Sequence, residues 1–473
     1  MTEAASVDVA VIGGGFSGAA VAYHLTRLAP GRSIAVCEPR AFLGGGLAYD
    51  NHDPAHRINV PAKRMSLLPD DEEHFARWLA AANSGADDPD IVGRDGALYP
   101  QRGVFGRYVA SQIQPLVNDG HVLHIRSDVR SLQPDGQRWR LSTSSGQTLN
   151  AQFVVIATTH PPPDVPSALR PILGDPRLIT DALVPGALSR IQPEDRIVIV
   201  GAGLTMADVV ASLDRQGHRG SITAISRRGL RSRGHSITTS EPYGDFKTPV
   251  ARASGLLKQI RSTIADAESQ GVTWHAVIDA VRTDAQTFWP QLPIAERRRI
   301  VRHLRVYWDV HRFRIAPQIE DALDRRISEG SLSIVASSLT RVNATPQAIT
   351  LSAASRARGE VRSFDTDHLI VTTGPGHATI LATQSYLAGL AKAGHIKSDP
   401  LGLGVAVDGE SHALNLHGRP QPTLLVAGPL ARATFGELMG LPQVSAHALR
   451  VAGEIAAALE TASASAAQLA PAK

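Results

Sequence analysis

The sequence predicts an α/β protein with two Rossmann-like dinucleotide-binding domains, the second nested in the first, and a helical insert. A short apolar strand, a glycine-rich turn and an amphipathic helix follow one another at residues 8–28, and the same succession returns at residues 197–216. Apolar residues also recur at helical spacing through residues 250–328. Because strand, helix and strand in succession form a parallel sheet covered by helices, we expect two doubly wound domains.

The first unit carries the features of a dinucleotide-binding turn. Gly13 permits the tight bend after the strand, Gly15 lets the backbone approach a pyrophosphate, and Gly18 lets the helix lie close to the strand. The start of the helix offers free N–H groups to phosphate. Glu38 ends the next strand, where its carboxylate can accept hydrogen bonds from ribose hydroxyls. These features together predict nucleotide binding.

The second unit matches the pattern less closely. Met206 occupies the position of the third glycine, so the helix is expected to lie farther from its strand. Arg227 and Arg228 follow the second strand in place of an acid. Guanidinium groups suit a 2′-phosphate, which favours NADPH over NADH, although the two arginines could also be a solvated strand end. The expected contacts of this cofactor are Gly201, Gly203, Leu204, Thr205, Arg227 and Arg228.

The other elements follow from hydrophobic period and from the residues that break it. Short apolar or alternating runs predict strands, and apolar residues three and four apart predict helices. We expect strands at 8–12, 34–37, 122–125, 129–132, 138–142, 153–156, 197–200, 221–225, 332–335, 348–351, 368–372 and 423–427, and helices at 16–28, 72–82, 105–116, 207–216 and 444–459.

The domain boundaries follow from the breaks in this pattern. Three prolines at 161–163 place a boundary near 160–166. The first domain is expected to comprise 1–165 and 365–460, and the second 166–364 with its insert at about 250–328. Residues 461–473 are rich in alanine and serine and are expected to be disordered. Tryptophans in the insert predict an aromatic core of its own, and its arginines predict a solvated face rather than a nucleic-acid surface.

Composition excludes several kinds of chemistry. Cys37 is the single cysteine, which rules out an internal disulfide and hence a dithiol relay. We expect no metal, because no cysteine or histidine spacing matches a zinc site, and the absence of a GxSxG motif disfavours a serine hydrolase. The formal net charge of +4 is slight. No apolar run could cross a bilayer and no leader precedes the first strand, so a cytoplasmic protein without membrane or nucleic-acid partners is expected.

The segment 229–249 is the candidate for binding a substrate. It lacks periodicity and directly follows a strand end, where ligands bind in open α/β sheets. Arg233 and His235 could hold an anion there, and Thr239 lies in the same segment. A solvated basic loop is the alternative.

Several short motifs resemble a known family. They span most of the chain and are Gly46-Leu47-Ala48-Tyr49, His56 to Ala62, Met65-Ser66, Ile156 to Pro163, Gly203 to Asp208, Ser226 to Gly229 and Gly428-Pro429-Leu430. With the two nucleotide units, these residues resemble flavoproteins that have two dinucleotide-binding domains. More narrowly, they look like the family of bacterial FAD-dependent urate hydroxylase and L-aspartate N-monooxygenase, which tolerates a residue such as Met206 in the second turn.

The resemblance implies FAD in the first domain and NADPH in the nested one. It implies a monooxygenase in which NADPH reduces FAD, O2 forms a C4a-hydroperoxide on the flavin, and a small substrate is hydroxylated, so that no catalytic side chain needs to be named. The FAD contacts expected on this basis are Gly13, Gly15, Phe16, Ser17, Gly18, Glu38, Tyr49, Asn59, Val129, Thr158, Gly428 and Pro429.

The resemblance leaves the substrate open. Urate, giving 5-hydroxyisourate, is the leading expectation, with N-hydroxylation of L-aspartate or another amino acid as the alternative. An NADPH oxidase or quinone reductase that inserts no oxygen, and a regulatory flavoprotein, are further alternatives. Either anionic substrate would need cations, for which the candidates are Arg64, Arg102, Arg233 and His235.

Overall fold

A computed structural model gives the fold. It describes residues 5–238, 240–248, 250–355, 359–376 and 379–469, with the side chains of 465–469 excepted. Thr239, which belongs to the segment predicted to bind substrate, and residues 470–473 of the predicted disordered tail lie outside the described residues.

The strands within this part of the chain are β1 (Ala5–Ile12), β2 (Ile34–Cys37), β3 (Val122–Ile125), β4 (Val129–Asp135), β5 (Arg138–Thr143), β6 (Thr148–Ile156), β7 (Leu178–Ile179), β8 (Ile197–Val200), β9 (Ile222–Ser226), β10 (Leu332–Ala336), β11 (Ser338–Ala344), β12 (Ile349–Ala354), β13 (Val361–Thr366), β14 (His368–Val371), β15 (His412–Leu414) and β16 (Pro420–Val426). The predicted bounds of β2, β3 and β8 agree with the structure. Strands β2 and β8 are apolar throughout, and β3 is apolar except for His124.

The helices described are α1 (Phe16–Leu28), α2 (Gly46–Tyr49), α3 (His74–Ala81), α4 (Arg102–Asn118), α5 (Leu204–Arg215), α6 (Ala253–Ser269), α7 (Trp274–Phe288), α8 (Ile294–His303), α9 (Arg305–Arg312), α10 (Pro317–Ser328), α11 (Ile380–Thr383), α12 (Ser385–Lys392), α13 (Arg432–Phe435) and α14 (Gln443–Leu469). Helix α14 extends into the segment predicted to be disordered, although the buried face by which it packs on α1 ends at Leu459. None of the described helices has the length and apolar character needed to span a membrane.

Two sheets, one with a parallel centre and antiparallel strands added to it and one parallel throughout, confirm the predicted fold class. The first has the order β15-β16-β6-β1-β2-β3, with β4 and β5 attached beside β6. The second has the order β10-β9-β8-β14-β7 and is parallel throughout. The antiparallel strands β11, β12 and β13 form a third sheet, which contributes Ile349 and Leu351 to a core shared with Val198 and Leu369 of the second.

Strand β14 changes one predicted domain boundary. The sequence assigns the chain from residue 365 onward to the first domain, but β14 pairs in parallel with β8 of the second sheet. The chain therefore returns to the first domain after Val371. An apolar run predicts a strand without identifying the sheet that it joins, so hydrophobic periodicity alone could not show that β14 belongs to the second sheet.

The insert is shorter than predicted. Helix α10 packs on α5 and connects β9 to the parallel strand β10, so it is a crossover helix of the second domain. Helices α6 to α9 form the insert and share a hydrophobic core that includes Phe246, Val277 and Phe288, with Trp289 and Trp308 packed against it. The predicted aromatic core is thus confirmed for these two tryptophans, whereas Trp274 stacks on His275.

The insert is bonded to the first domain. The Trp289 indole N–H donates to the carbonyl oxygen of Ala433 at 2.9 Å, and the Arg282 guanidinium donates to that of Leu441 at 2.7 Å. A third bond runs from Arg298 Nε to the Pro400 carbonyl oxygen at 3.0 Å. Helices that belong to the second domain by sequence therefore contact helix α13 and two loops of the first domain.

One buried ion pair also joins the two domains. The Arg102 guanidinium contacts the Asp208 carboxylate at 2.8 and 2.9 Å, with side-chain exposures of 13% and 4%. Arg102 Nε donates to the carbonyl oxygen of Arg57. The pair links α4 of the first domain to α5 of the second.

Removing one partner of this pair should destabilise the protein. Arg102→Met leaves the Asp208 carboxylate buried without its counterion, at a cost of about 3 kcal/mol. The exposed pair of Arg140 and Asp135 provides the control, since Arg140→Met should cost no more than about 0.5 kcal/mol. Urea unfolding followed by circular dichroism measures both. Equal shifts for the two variants would contradict a stabilising role for the pair between the domains.

Candidate functional site

Four parallel strand ends meet at one edge of the first sheet. They are the carboxyl ends of β1, β2, β6 and β16. A Cβ added at Gly13 would lie 2.7 Å from the carbonyl oxygen of Ala157, and one added at Gly428 would lie 2.3 Å from Ser17 Oγ. The loops that follow these strands are therefore in contact and surround the start of α1.

The glycine turn forms a cradle of the kind that a pyrophosphate needs. A Cβ at Gly18 would lie 1.9 Å from the Gly13 carbonyl oxygen, so only glycine lets α1 approach β1 this closely. Gly13 has a φ of +98°, in the left-handed region. The nearest atom to a Cβ added at Gly15 is Gly46 Cα, at 3.4 Å. No side chain among the described residues caps the start of α1. The N–H groups at this helix start are thus available to an anion, and the residues fit a dinucleotide.

Glu38 lies beside this cradle with 4% of its surface exposed. Its Oε2 accepts the Gly14 N–H at 2.9 Å, and its Oε1 accepts Arg40 Nη1 at 3.0 Å. The carboxylate therefore holds the glycine turn in place, and its position at the end of β2 is the one expected of a ribose acceptor. Its bond to ribose stays a prediction.

Three aromatic residues pack beside the cradle. The ring centroid of Tyr49 lies 4.7 Å from that of Phe105 and 6.5 Å from that of Phe16, and both pairs pack edge to face. Burial raises the pKa of Tyr49 to about 12. Phe16 and Tyr49, two of the residues predicted to contact FAD, thus form one apolar wall near the start of α1.

Among the remaining residues predicted to contact FAD, Thr158, Gly428 and Pro429 follow strands of the first sheet and Val129 begins one. Thr158 follows β6 and bonds the Tyr386 hydroxyl at 3.0 Å, and Val129 is buried at the start of β4. His447 Nδ1 accepts the Gly428 N–H at 3.1 Å, which fixes the turn before Pro429. Burial lowers the pKa of His447 to about 3, so the ring stays neutral and can accept this bond.

The second glycine-rich turn, which we call the second cradle, lies between β8 and α5 of the second domain. Gly201 has a φ of +124°, and a Cβ there would lie 2.4 Å from the Thr372 carbonyl oxygen. No atom lies within 4 Å of a Cβ added at Gly203, and α5 lacks a side-chain cap among the described residues. Leu204 and Thr205 begin α5, while Met206 is fully buried. This turn also leaves helix N–H groups open to phosphate.

Arg227 and Arg228 are exposed just after β9. Arg228 Nη1 donates to the Tyr307 hydroxyl at 2.8 Å, with its guanidinium 4.9 Å from the ring centroid. Both cations thus lie where the second strand of a dinucleotide-binding unit ends, and their contact with a 2′-phosphate stays a prediction.

The four basic residues predicted to bind the substrate do not all lie together in the structure. Arg102 forms the ion pair with Asp208 described above, which a sequence does not show, and its contact with substrate stays a prediction. Arg64 is exposed and lies near Asp279 and Arg282. Only Arg233 and His235 come together.

Arg233 and His235 line a cavity of about 340 Å³. His235 Nε2 bonds the carbonyl oxygen of Asn59 at 2.9 Å, and its pKa falls to about 4 because the ring is buried and lies near Arg314. The ring is therefore neutral near pH 7 and carries no charge for an anion. The Asn59 side-chain oxygen is buried and has no hydrogen-bond partner among the described residues.

A larger cavity of about 570 Å³ lies within the insert. Its walls are mostly apolar and come from four helices; they include Leu256, Leu257, Ile260, Ile264, Ile278, Val281, Phe288, Trp289, Ile300 and Trp308. Four charged residues, Arg305, Asp309, Arg432 and Glu437, lie along one part of its lining, which we call the charged floor. This cavity could not be predicted from the sequence, because it depends on the packing of helices against the first domain.

The charged floor lies next to the edge where the first sheet ends. Arg432 begins α13, a few residues after Gly428, and is 4% exposed. His160, which follows β6, has its pKa lowered to about 4 by burial and by the charges of Arg432 and Arg305. The floor is therefore close to both loops that border the first cradle.

Two family models match the chain. The model described as FAD-NAD(P)-binding matches residues 10–161, and the model described as L-lysine 6-monooxygenase/L-ornithine 5-monooxygenase matches residues 97–237. A search of curated proteins found no match. The two models confirm the predictions of FAD and NADPH as cofactors, with O2 as co-substrate, and of a flavoprotein monooxygenase as the enzyme class.

Solved structures share the fold at low sequence identity. Ornithine hydroxylase from Pseudomonas aeruginosa aligns with a TM-score of 0.64 at 16% identity, covering 96% of this chain and 100% of its own. Ornithine N-hydroxylase from Kutzneria sp. 744, with reduced FAD, NADP+ and L-ornithine, gives 0.62 at 18%, covering 97% and 100%. L-lysine 6-monooxygenase from Pseudomonas syringae gives 0.60 at 19%, covering 96% and 99%. These comparisons do not support the narrower expectation of a urate hydroxylase.

The close approach of Gly18 to Gly13 should be needed for FAD retention. Gly18→Ala places a methyl group against the Gly13 carbonyl oxygen, which pushes α1 from the strand and opens the cradle. Gly453→Ala is the matched control, because a Cβ there meets no atom within 4 Å. Flavin absorbance after purification should be lost in the first variant and retained in the second. A fully flavinated Gly18→Ala protein would refute this placement.

The two arginines after β9 should select NADPH. Replacing Arg227 and Arg228 with Ala should raise the Michaelis constant for NADPH about tenfold or more, through loss of charged hydrogen bonds, and change that for NADH little. Arg219→Ala removes an exposed cation of the same domain and serves as control. Steady-state oxidation of each nucleotide gives the constants. An equal rise for NADPH and NADH would argue against the assignment to the 2′-phosphate.

Proposed function

We propose that this flavoprotein monooxygenase is an N-hydroxylase that acts on a primary amine of a small molecule. In this reaction the amine, O2, NADPH and a proton give the hydroxylamine, water and NADP+. The observation that carries the proposal is the match of residues 97–237 to the family of lysine and ornithine monooxygenases. The printed names of the structural neighbours, which are ornithine and lysine hydroxylases, agree with it.

The geometry of the chain suits this role. The start of α1 and Glu38 would hold the pyrophosphate and ribose of FAD, and the start of α5 with Arg227 and Arg228 would hold NADPH. Bound FAD, once reduced, supplies the activation of oxygen. The apolar helices of the insert enclose a cavity beside Arg432 and would exclude water from a substrate bound there.

The substrate falls into one of two groups. L-aspartate and the basic amino acids present an amine and belong to the same reaction class. Urate requires hydroxylation at carbon, and neither the family match nor the neighbours favour it. We therefore propose an amine in place of urate.

The decisive experiment is reduction by NADPH without oxygen, followed by O2 in the presence of lysine, ornithine, cadaverine, aspartate, urate or buffer. We expect an amine to increase NADPH consumption and to yield a hydroxylamine, detected by mass as a gain of one oxygen atom. Protein that lacks FAD, such as Gly18→Ala, is the control. Product from urate alone would replace the proposal, and hydrogen peroxide unaffected by any candidate would identify an NADPH oxidase.

A further inference from the structure

The charged floor of the insert cavity contains a guanidinium with unused donors. Arg432 is 4% exposed, and its Nε and Nη2 atoms have no hydrogen-bond partner among the described residues. Its Nη1 contacts the sulfur of Met439 at 2.6 Å. A buried guanidinium with two free donors is costly unless a ligand accepts from them, and a carboxylate matches this geometry.

The carboxylates of the floor are already paired. Asp309 accepts from Arg305 Nε at 3.2 Å. Glu437 accepts from Arg312 Nε at 2.9 Å and from the Trp308 indole N–H at 3.1 Å. At the floor, a ligand ammonium would have to break one of these pairs, whereas a ligand anion would find the Nε and Nη2 donors of Arg432 unused. The floor thus favours an anion over a cation.

The walls favour an apolar body. Leucine, isoleucine, phenylalanine and tryptophan side chains surround a volume of about 570 Å³, which is within the usual range for small-molecule sites. Each methylene buried against such walls contributes about 0.8 kcal/mol, or about a fourfold gain in affinity. The second ammonium of a diamine would gain nothing from these walls.

We propose that the insert cavity is the substrate pocket and that its ligand is an amphipathic carboxylate, held at its anionic group by Arg432 and along its apolar body by helices α6 to α9. The identification of this ligand as the substrate rests on the proposed function, in which case the amine to be hydroxylated is part of the same molecule. The family and its structural neighbours are named for basic amino acids, so this chain would differ from them in the class of its substrate.

Binding of simple probes to the FAD-loaded protein tests the proposal without turnover. Isothermal titration calorimetry should show octanoate binding at least tenfold more tightly than octylamine, and hexanoate binding about tenfold less tightly than octanoate. Tighter binding of octylamine, or equal binding of the two carboxylates, would overturn the proposal.

Two variants locate the ligand. Arg432→Met should weaken octanoate binding about tenfold or more while leaving octan-1-ol unaffected, and unchanged octanoate binding would overturn the assignment of Arg432. Leu257→Trp narrows the cavity and should weaken the binding of both octanoate and octan-1-ol. It tests the location of the ligand if Arg432→Met fails to fold. Leu416→Trp is the matched control, because Leu416 is 64% exposed and does not line the cavity.

The two proposals can fail separately. If no amine yields a hydroxylamine but octanoate binds in the manner described, the proposed function is wrong and the carboxylate site stands. If lysine or ornithine is hydroxylated and octanoate does not bind, the proposed function stands and the inference about the cavity is wrong.

Discussion

The convergence of parallel strand ends is the constraint on which the rest of the structure depends. Strands β1, β2, β6 and β16 run in the same direction, so every loop that leaves their carboxyl ends lies at one edge of the sheet. Close packing there requires glycine at three places, where a side chain would meet the opposite loop. This edge of the sheet determines the positions of the backbone donors at the start of α1, the carboxylate of Glu38 and the charged floor beside Arg432.

The parts of the fold governed by local pattern could be predicted from the sequence. Strands β2 and β8 are short apolar runs and β3 is interrupted only by His124, so their bounds follow from the polar or turn residues around them. Short elements such as β7 leave no period to detect. The sheet joined by β14 and the packing of α10 on α5 depend on contacts between distant segments, which spacing along the chain does not encode.

The candidate site shows the same division. The glycines of the first turn and Glu38 could be predicted as site residues, because a dinucleotide-binding turn needs glycine at fixed positions and an acid at the end of the next strand. The ion pair of Arg102 could not be predicted, because its partner Asp208 lies in another domain. Arg432 directly follows the turn of Gly428 and Pro429, yet only the packed structure shows that its donors are buried without partners. The fold itself does not identify the chemistry either, since one fold can carry unrelated reactions and the residues at the site decide between them.

The attachment of the insert has a mechanical consequence. Its helices leave the second domain through the segments before α6 and after α9, but Trp289, Arg282 and Arg298 fasten them to the first domain. The insert is also bonded to the second domain, where the backbone N–H of Arg233 donates to the Val310 carbonyl oxygen at 2.8 Å and Arg228 donates to the Tyr307 hydroxyl. A rotation of the second domain relative to the first would therefore have to break the contacts of the insert with one of the two domains.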